Sequence, residues 1–313
     1  MVQAAYREAI PIMIPSERYA AIDIGSNAVR LLLCEVFETD SGPYFRKISL
    51  IRMPIRLGSD AFILGKISSE KTQRLTDTIQ GFRHLVAAYR PLDFRACATS
   101  AMREAANGEK IRQHIRKETG VNIRIIDGKE EARTIFANNP WNHLPEGNAW
   151  LFVDVGGGST EITIHANGRT VSHSFGIGTI RLLEDLVRRS QWKAMKDWIR
   201  EHTRHLKKVD AVGSGGNINK IIKLAKCTDG RSISLDKMKK VKGHLKFFSI
   251  DERITKLGLK PDRADVIMPA LKIYASVMKW GGIDTISVPQ IGLADGLVRL
   301  MYRERGKRME KQR

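Results

Sequence analysis

The pattern of apolar and polar positions divides the chain into two halves with the same opening. In the first half, "YAAIDIG" and "AVRLLLCEVFE" read as two strands. "YFRKISLIRMPIRLG" reads as a third extended stretch, ended by Pro and Gly signals. A helix follows, with Leu75, Ile79, Phe82, Leu85 and Tyr89 at helical spacing behind Ser68 and Ser69 as candidate caps. Then come a short strand ("FRACAT"), a helix with a glycine stop ("GEKIRQHIRKETG"), a strand ("VNIRIID") and a helix start ("KEEARTIFANN"). The polar "NNPWNHLPEGN" marks a boundary, and the first 16 residues look loosely ordered.

The second half repeats the theme. "AWLFVDVG", "TEITIHANG" and "RTVSHSFG" are three strands, followed by helices around 178–187 and 191–205. "KKVDAVGS" is a strand running into the helix "GGNINKIIKLAK". A basic helical region spans roughly 235–257. "ADVIMPALKIYASVMKW" is a buried helix, "IDTISVP" a strand, and "GLADGLVRLMYRERGKRMEKQR" a closing helix with a basic, frayed end. Each half is therefore βββαβα, and Asp23 in "AIDIGSNAVRLLL" corresponds to Asp154 in "FVDVGGGSTEITI", 131 residues further on. Strands that lead into hairpins rather than into helices exclude a TIM barrel and a Rossmann fold.

Composition narrows the class. A length of 313 residues favours two domains. No apolar run reaches a membrane span and the start lacks the pattern of a secretion signal, so the expectation is a cytoplasmic protein with no membrane partner. Three scattered cysteines without a CxxC argue for a reducing compartment and against structural zinc. The net charge is +19, and Arg188–Lys260 alone holds 20 basic and 7 acidic residues, a net of +13. Such a field suits a polyanion, although a solvated basic surface would look the same.

The glycine turns carry the chemistry. "DVGGGSTE" leads into β-branched alternation, not a helix, and lacks the lysine of a P-loop, so both common nucleotide loops fail on context. What remains is a hairpin tip whose glycines let an anion approach the backbone, with Ser159 and Thr160 as hydroxyl donors and Asp154 at the strand end. "DIGSN", Asp23 to Asn27, has the same make-up. Two such tips across a cleft make a phosphate clamp.

"DIGSN", "TSAMREAAN", "DGKEEART", "VDVGGGSTE", "FGIGTIRLLE", "GSGGN" and "RADVIMPAL" occur in the order found in the Ppx/GppA family, the exopolyphosphatases and guanosine pentaphosphate (pppGpp) phosphohydrolases. The chain resembles that family from about residue 18 to about residue 303. The resemblance implies an α/β actin-like ATPase fold, two ribonuclease-H-like lobes around an interdomain cleft. The first lobe would comprise 1–133 with a returning helix at 298–313, and the second, basic lobe 134–297. Longer members add a helical C-terminal region with an HD-type domain, and this chain looks like the short form.

The same resemblance implies hydrolysis of the terminal phosphate of inorganic polyphosphate, or of guanosine pentaphosphate, with water and Mg²⁺. Another divalent ion, or an added monovalent one, stays open. Glu131 would be the base, Arg103 would neutralise the transferred phosphate, and Asp154 with Glu161 and Asp23 would hold the metal. Neighbours on a helix point apart, so Glu130 should face away from the cleft. Gly25, Ser26, Asn27, Arg103, Gly156, Gly157, Gly158, Ser159 and Thr160 would cradle phosphate. Gly213, Ser214, Gly215, Gly216 and Asn217, between a strand and a helix, would take a guanosine or a distal phosphate, or would simply form a tight turn. A basic groove bearing Lys237, Lys239, Lys240 and Lys242 would capture long chains.

Ala28 departs from the family pattern, where Ser or Thr is common, and removes one hydroxyl from the cradle. His202 and His205 lie on a basic helix face with no third ligand, and Trp192 and Trp198 read as helix packing. An actin-like sugar or acetate kinase and a nucleic-acid-binding protein are the competing classes. The first is disfavoured by "KEEA", the second by the lack of any recognised motif. A homodimer is compatible with the sequence.

Overall fold

The computed structural model describes residues 15–138, 149–227 and 231–312, without the side chains of 310–312. The loosely patterned start and most of the expected boundary at 138–148 lie outside the described residues. The first sheet is built from β1 (Ser16–Ile24), β2 (Val29–Phe37), β3 (Tyr44–Met53), β4 (Asp93–Ala98) and β5 (Ile123–Ile125). Its helices are α1 (Leu57–Ile63), α2 (Ser69–Tyr89), α3 (Ser100–Glu104), α4 (Gly108–Thr119) and α5 (Gly128–Phe136). The second sheet contains β6 (Ala149–Val155), β7 (Thr160–Ala166), β8 (Arg169–Phe175), β9 (Val209–Ser214), β10 (Ser232–Ser234) and β11 (Thr285–Ser287). Around it lie α6 (Thr179–Leu183), α7 (Arg189–Thr203), α8 (Gly216–Leu224), α9 (Leu235–Leu245), α10 (Ile250–Thr255), α11 (Pro261–Ala264) and α12 (Ile267–Gly281), and α13 (Leu293–Gln312) closes the chain.

Strand order runs β3-β2-β1-β4-β5 in one sheet and β10-β11-β9-β6-β7-β8 in the other. Read from the first hairpin outward, the two orders correspond over five strands, and the antiparallel β10 adds a sixth to the second sheet. Antiparallel hairpins come first, and parallel strands (β4 and β9) then join the opposite edge of β1 and β6. The duplication expected from the two openings is therefore present in the topology, as two ribonuclease-H-like lobes with a cleft between them.

Burial explains why these segments pair. β2 and β1 are apolar on both faces because each face is covered. One face of the first sheet packs on α1, α2, α3 and α4 through residues such as Leu31, Leu57, Leu75, Ile79 and Met102. The other packs on α5 and α13 through Leu32, Val36, Ile135, Leu297 and Met301. The second lobe has its own core, in which Val153, Ile164, Ile218 and Ile221 meet Leu271, Tyr274 and Met278 of α12.

The structure corrects several local expectations. The third extended stretch ends at Met53, because Pro54 has no N–H for the ladder and Arg56 takes a left-handed φ of 57° that starts α1. The basic region at 235–257 is two helices, divided before the Ser249 capping box of α10. The short α3, α11 and β10 were not anticipated. No helix among the described residues is long and apolar enough to cross a membrane.

Candidate active site

Both hairpins end in tips closed the same way: the amide of Gly25 donates to Ala28 O (3.1 Å), and that of Gly156 to Ser159 O (2.9 Å). The tip carbonyls are taken up by the helix that follows in each lobe. Ser26 O and Asn27 O accept from Gly58 and Arg56, and Gly156 O and Gly157 O from Thr179 and Ile180. The tips meet. A Cβ on Gly158 would fall 2.3 Å from Phe62 and 2.5 Å from Ser100 Oγ, so only glycine permits this approach of the lobes. A Cβ on Gly157 would fall 2.9 Å from Ser26 Cβ. The glycines thus fit one lobe against the other, a task the sequence did not disclose.

Beside this junction lies a cleft of about 320 Å³. Asp23, Gly25, Ser26, Asn27, Glu131, Asp154, Gly156, Gly157, Ser159, Gly215, Gly216 and Asn217, all expected from the sequence, line it. Gly158, Thr160, Glu161, Arg103, Gly213 and Ser214 do not. Thr160 is buried with its hydroxyl donating to Ile177 O (2.5 Å), so it holds the hairpin. Gly213 lies in β9 against Ile286 and Ile218, and Ser214 Oγ donates to Asp154 Oδ1 (2.5 Å). Gly215 has a φ of +92°, and a side chain there would crowd Asp154 Oδ1 at 2.8 Å.

Glu131 enters from α5, whose N-cap Asp127 accepts the Glu130 amide (2.7 Å). As the helix geometry requires, the two glutamates diverge: Glu130 pairs with Arg124 and Glu131 is buried. Glu161 is buried as well, with Oε1 accepting from Ser174 Oγ (2.8 Å). Burial, then the nearby carboxylates of Glu161, Asp154 and Asp23, push the Glu131 carboxyl far above its ordinary range. Burial and Asp154 push Glu161 up to about 7, and burial also raises Asp154. Glu131 Oε2 and Glu161 Oε2 have no hydrogen-bond partner among the described residues.

Such crowding fits a cation. Two orphaned carboxylate oxygens and mutually repelling acids are what a divalent ion would relieve. No three His, Cys, Asp or Glu side chains among the described residues form a ready-made metal cage. Mg²⁺ ordinarily takes one or two carboxylates, with substrate oxygens and water completing its shell.

Arg103 lies behind Glu131. Its Nη1 donates to Ile126 O (2.7 Å) and sits 3.9 Å from Glu131 Oε2. It is bound to neither Glu104, which pairs with Arg181, nor Glu109, which pairs with Arg112. The sequence reading missed Arg30, which lines the cleft and donates to Asp23 Oδ2 (2.6 Å). The signal was present: Asp23 faces Arg30 across the first hairpin as Asp154 faces Glu161 across the second. The offset of 131 residues that maps Asp154 onto Asp23 maps Glu161 onto Arg30. One lobe carries a carboxylate where the other carries a guanidinium.

Tyr274 lies on the helix expected to be buried. It is core, yet its hydroxyl also donates to Ser214 O (2.6 Å), tying α12 to the residue that binds Asp154. Arg263 and Asp262 come from α11, which the sequence did not reveal. Arg52 of the first lobe pairs with Asp262, Asn27 Nδ2 donates to Asp262 O (2.9 Å), and Arg56 pairs with Asp265 (2.6 Å), latching the lobes together. His202 stacks on Trp198 at 4.4 Å and Trp192 packs edge-on to Trp280, so these are packing residues.

The family model for the Ppx/GppA phosphatase family matches residues 36–304. Exopolyphosphatase 1 of Mycobacterium leprae is 24% identical over 303 residues, covering 90% of this chain and 88% of that protein. A guanosine-5'-triphosphate,3'-diphosphate pyrophosphatase of Aeromonas hydrophila is 24% identical over 298 residues; the match covers 90% of this chain but only 59% of that longer relative. The solved structure of an exopolyphosphatase from Cytophaga hutchinsonii superposes with a TM-score of 0.77 at 23% identity, covering 91% of this chain and 97% of that one, which establishes the shared fold.

Proposed function

Because the chain belongs to the Ppx/GppA phosphatase family, we propose that its cleft hydrolyses the terminal phosphoanhydride bond of inorganic polyphosphate. The observation that carries this reading is the buried Glu131, with a carboxylate oxygen that accepts no hydrogen bond, in the cleft beside the junction of the two glycine tips. Phosphoryl transfer to water asks mainly for positioning and charge neutralisation, together with a carboxylate to orient the water and take its proton. Glu131 Oε2 is that acceptor. Arg103, anchored on Ile126 O, holds Glu131 in place. Asp154, with Glu161 behind it and Asp23 across the cleft, are the carboxylates that would hold Mg²⁺, whose charge when bound offsets that of the phosphate oxygens. Arg30 donates to the terminal phosphate, and the tips at Ser26, Asn27 and Gly157 fix its position.

The cleft wall supports polyphosphate over a nucleotide. Arg30, Lys47, Arg52, Lys220, Lys223 and Arg263 line it, and among the described residues no aromatic ring does, so nothing there would stack on a base. Guanosine pentaphosphate is the competing substrate, favoured by the likeness to the Aeromonas protein. Phosphate release from each substrate separates them by kcat/KM. Glu131→Gln is expected to lower kcat by roughly 10²–10⁴-fold. Activity that survives the change removes Glu131 from its role.

A further inference from the structure

The cleft lining is not evenly paired. Arg30 is matched by Asp23, Arg52 by Asp262, and Lys47 by Asp295 (2.7 Å). Lys220, Lys223 and Arg263 also line the cleft, and among the described residues none has a carboxylate within ion-pair distance. Lys220 Nζ reaches Gly258 O (3.2 Å), and Arg263 Nη1 reaches Asn217 Oδ1 (3.0 Å). These cations also crowd one another. Burial, with Lys223 and Arg263 nearby, lowers Lys220, and burial with Arg52 and Arg30 lowers Arg263 to about 10. Like charges held together in a partly dry wall cost stability unless a polyanion joins them.

Their placement has a direction. α8 starts at Gly216 beside Asp154, and Asn217, Lys220 and Lys223 follow at every third residue, about 4.5 Å apart along the axis. The cleft then runs on into a smaller hollow of about 270 Å³ that shares Asn219, Lys223 and Gln290. The helix anticipated as the basic groove lies elsewhere. Lys237, Lys239, Lys240 and Lys242 sit on α9, none of them lines the cleft, and Lys239 is tied to Asp236 (3.0 Å).

We infer that Lys220 and Lys223 of α8, with Arg263 facing them, form a track for the distal phosphates of a polyphosphate chain whose end lies at Glu131. The inference rests on the proposed hydrolysis of polyphosphate and names the residues that select for chain length. The pairing of the other cleft cations leaves these three as the charges with no carboxylate partner among the described residues.

The test is a Lys220→Gln/Lys223→Gln double variant assayed with tripolyphosphate and with long-chain polyphosphate. KM for the long chain should rise roughly tenfold more than KM for tripolyphosphate, and its dependence on salt should weaken. Equal changes for both substrates, or none, overturn the track. A Lys237→Gln/Lys240→Gln variant on α9 should alter neither KM; a long-chain defect there as large as that of the α8 variant also overturns it. Equilibrium binding of long-chain polyphosphate in chelator separates this inference from the proposed function. If the wild-type protein releases no phosphate from either chain, the function falls. The track then stands only if the α8 variant binds the long chain at least severalfold more weakly.

Discussion

Glu161→Gln should stabilise the protein and disable it at once. Burial and the neighbouring Asp154 carry the Glu161 carboxyl from 4.5 to about 7. The neutral acid is thus favoured in the folded chain. The stability it confers is fully present below the unfolded-state value near 4.5 and is lost as pH rises to about 7. At about 1.4 kcal/mol for each pH unit between those values, the ionised side chain costs about 3 kcal/mol above neutrality. An amide of the same shape escapes that cost and still accepts from Ser174 Oγ. In chelator at pH 8, the variant should melt roughly 5–10 °C above the wild-type protein. Near pH 4 the two midpoints should converge. Adding Mg²⁺ at pH 8 should close much of the gap, because an ion that binds only the folded state raises the wild-type midpoint more. A variant that melts lower than wild type at pH 8 without divalent ions would refute the reasoning. Its hydrogen bonds, not its charge, would then govern Glu161.

Other perturbations read other parts of the site. Arg30→Met should lower kcat/KM for polyphosphate roughly 10²–10³-fold, with Arg30→Lys recovering part of it, if the guanidinium donates to the terminal phosphate; steady-state kinetics with unaltered kcat/KM would assign Arg30 to Asp23 alone. Tyr274→Phe strands the buried Ser214 carbonyl and should cost about 1–3 kcal/mol, measured as a lower denaturant midpoint with unchanged slope. Gly158→Ala inserts a methyl between the lobes at Phe62 and should cost about 1–3 kcal/mol. The lobes can relieve it by parting, so a larger radius of gyration in solution scattering and a lower kcat are expected together. A compact, fully active variant would show that the junction yields without opening.

The hairpins and the duplicated order were legible because short apolar, β-branched runs bounded by glycine tips read as strands buried on both faces, and because a strand rather than a helix follows each glycine tip. The divergence of Glu130 from Glu131 was legible from helix geometry alone. α1, α3 and α11 were not, since helices of four to seven residues complete too few turns to show a period. That loss mattered, because α11 brings Arg263 to the cleft, and Asp262 to Arg52 and Asn27 beside it, from far along the chain. The close fit of Gly158 on Phe62 was also hidden: a glycine needed for packing against a distant residue looks the same in sequence as one needed for a turn. Arg103 shows a different limit of sequence. Its residue type suited a phosphate, but its position behind Glu131 depends on where α3 and α5 come to lie.

The inverted pair Arg30 and Glu161 gives the cleft a head and a tail. Two like lobes facing each other would present much the same surface to a ligand and to that ligand turned end for end, and linear polyphosphate is identical from either end. A single exchange of sign at matching hairpin positions breaks the equivalence: one lobe carries a guanidinium at the cleft beside Asp23, and the other holds a buried acid behind Asp154. If Lys220 and Lys223 of α8, which have no carboxylate partner among the described residues, hold the distal phosphates as proposed, a chain would have one orientation in which its last unit meets the acids and the rest meets cations. Direction along an undirected polymer would then be written entirely in the protein.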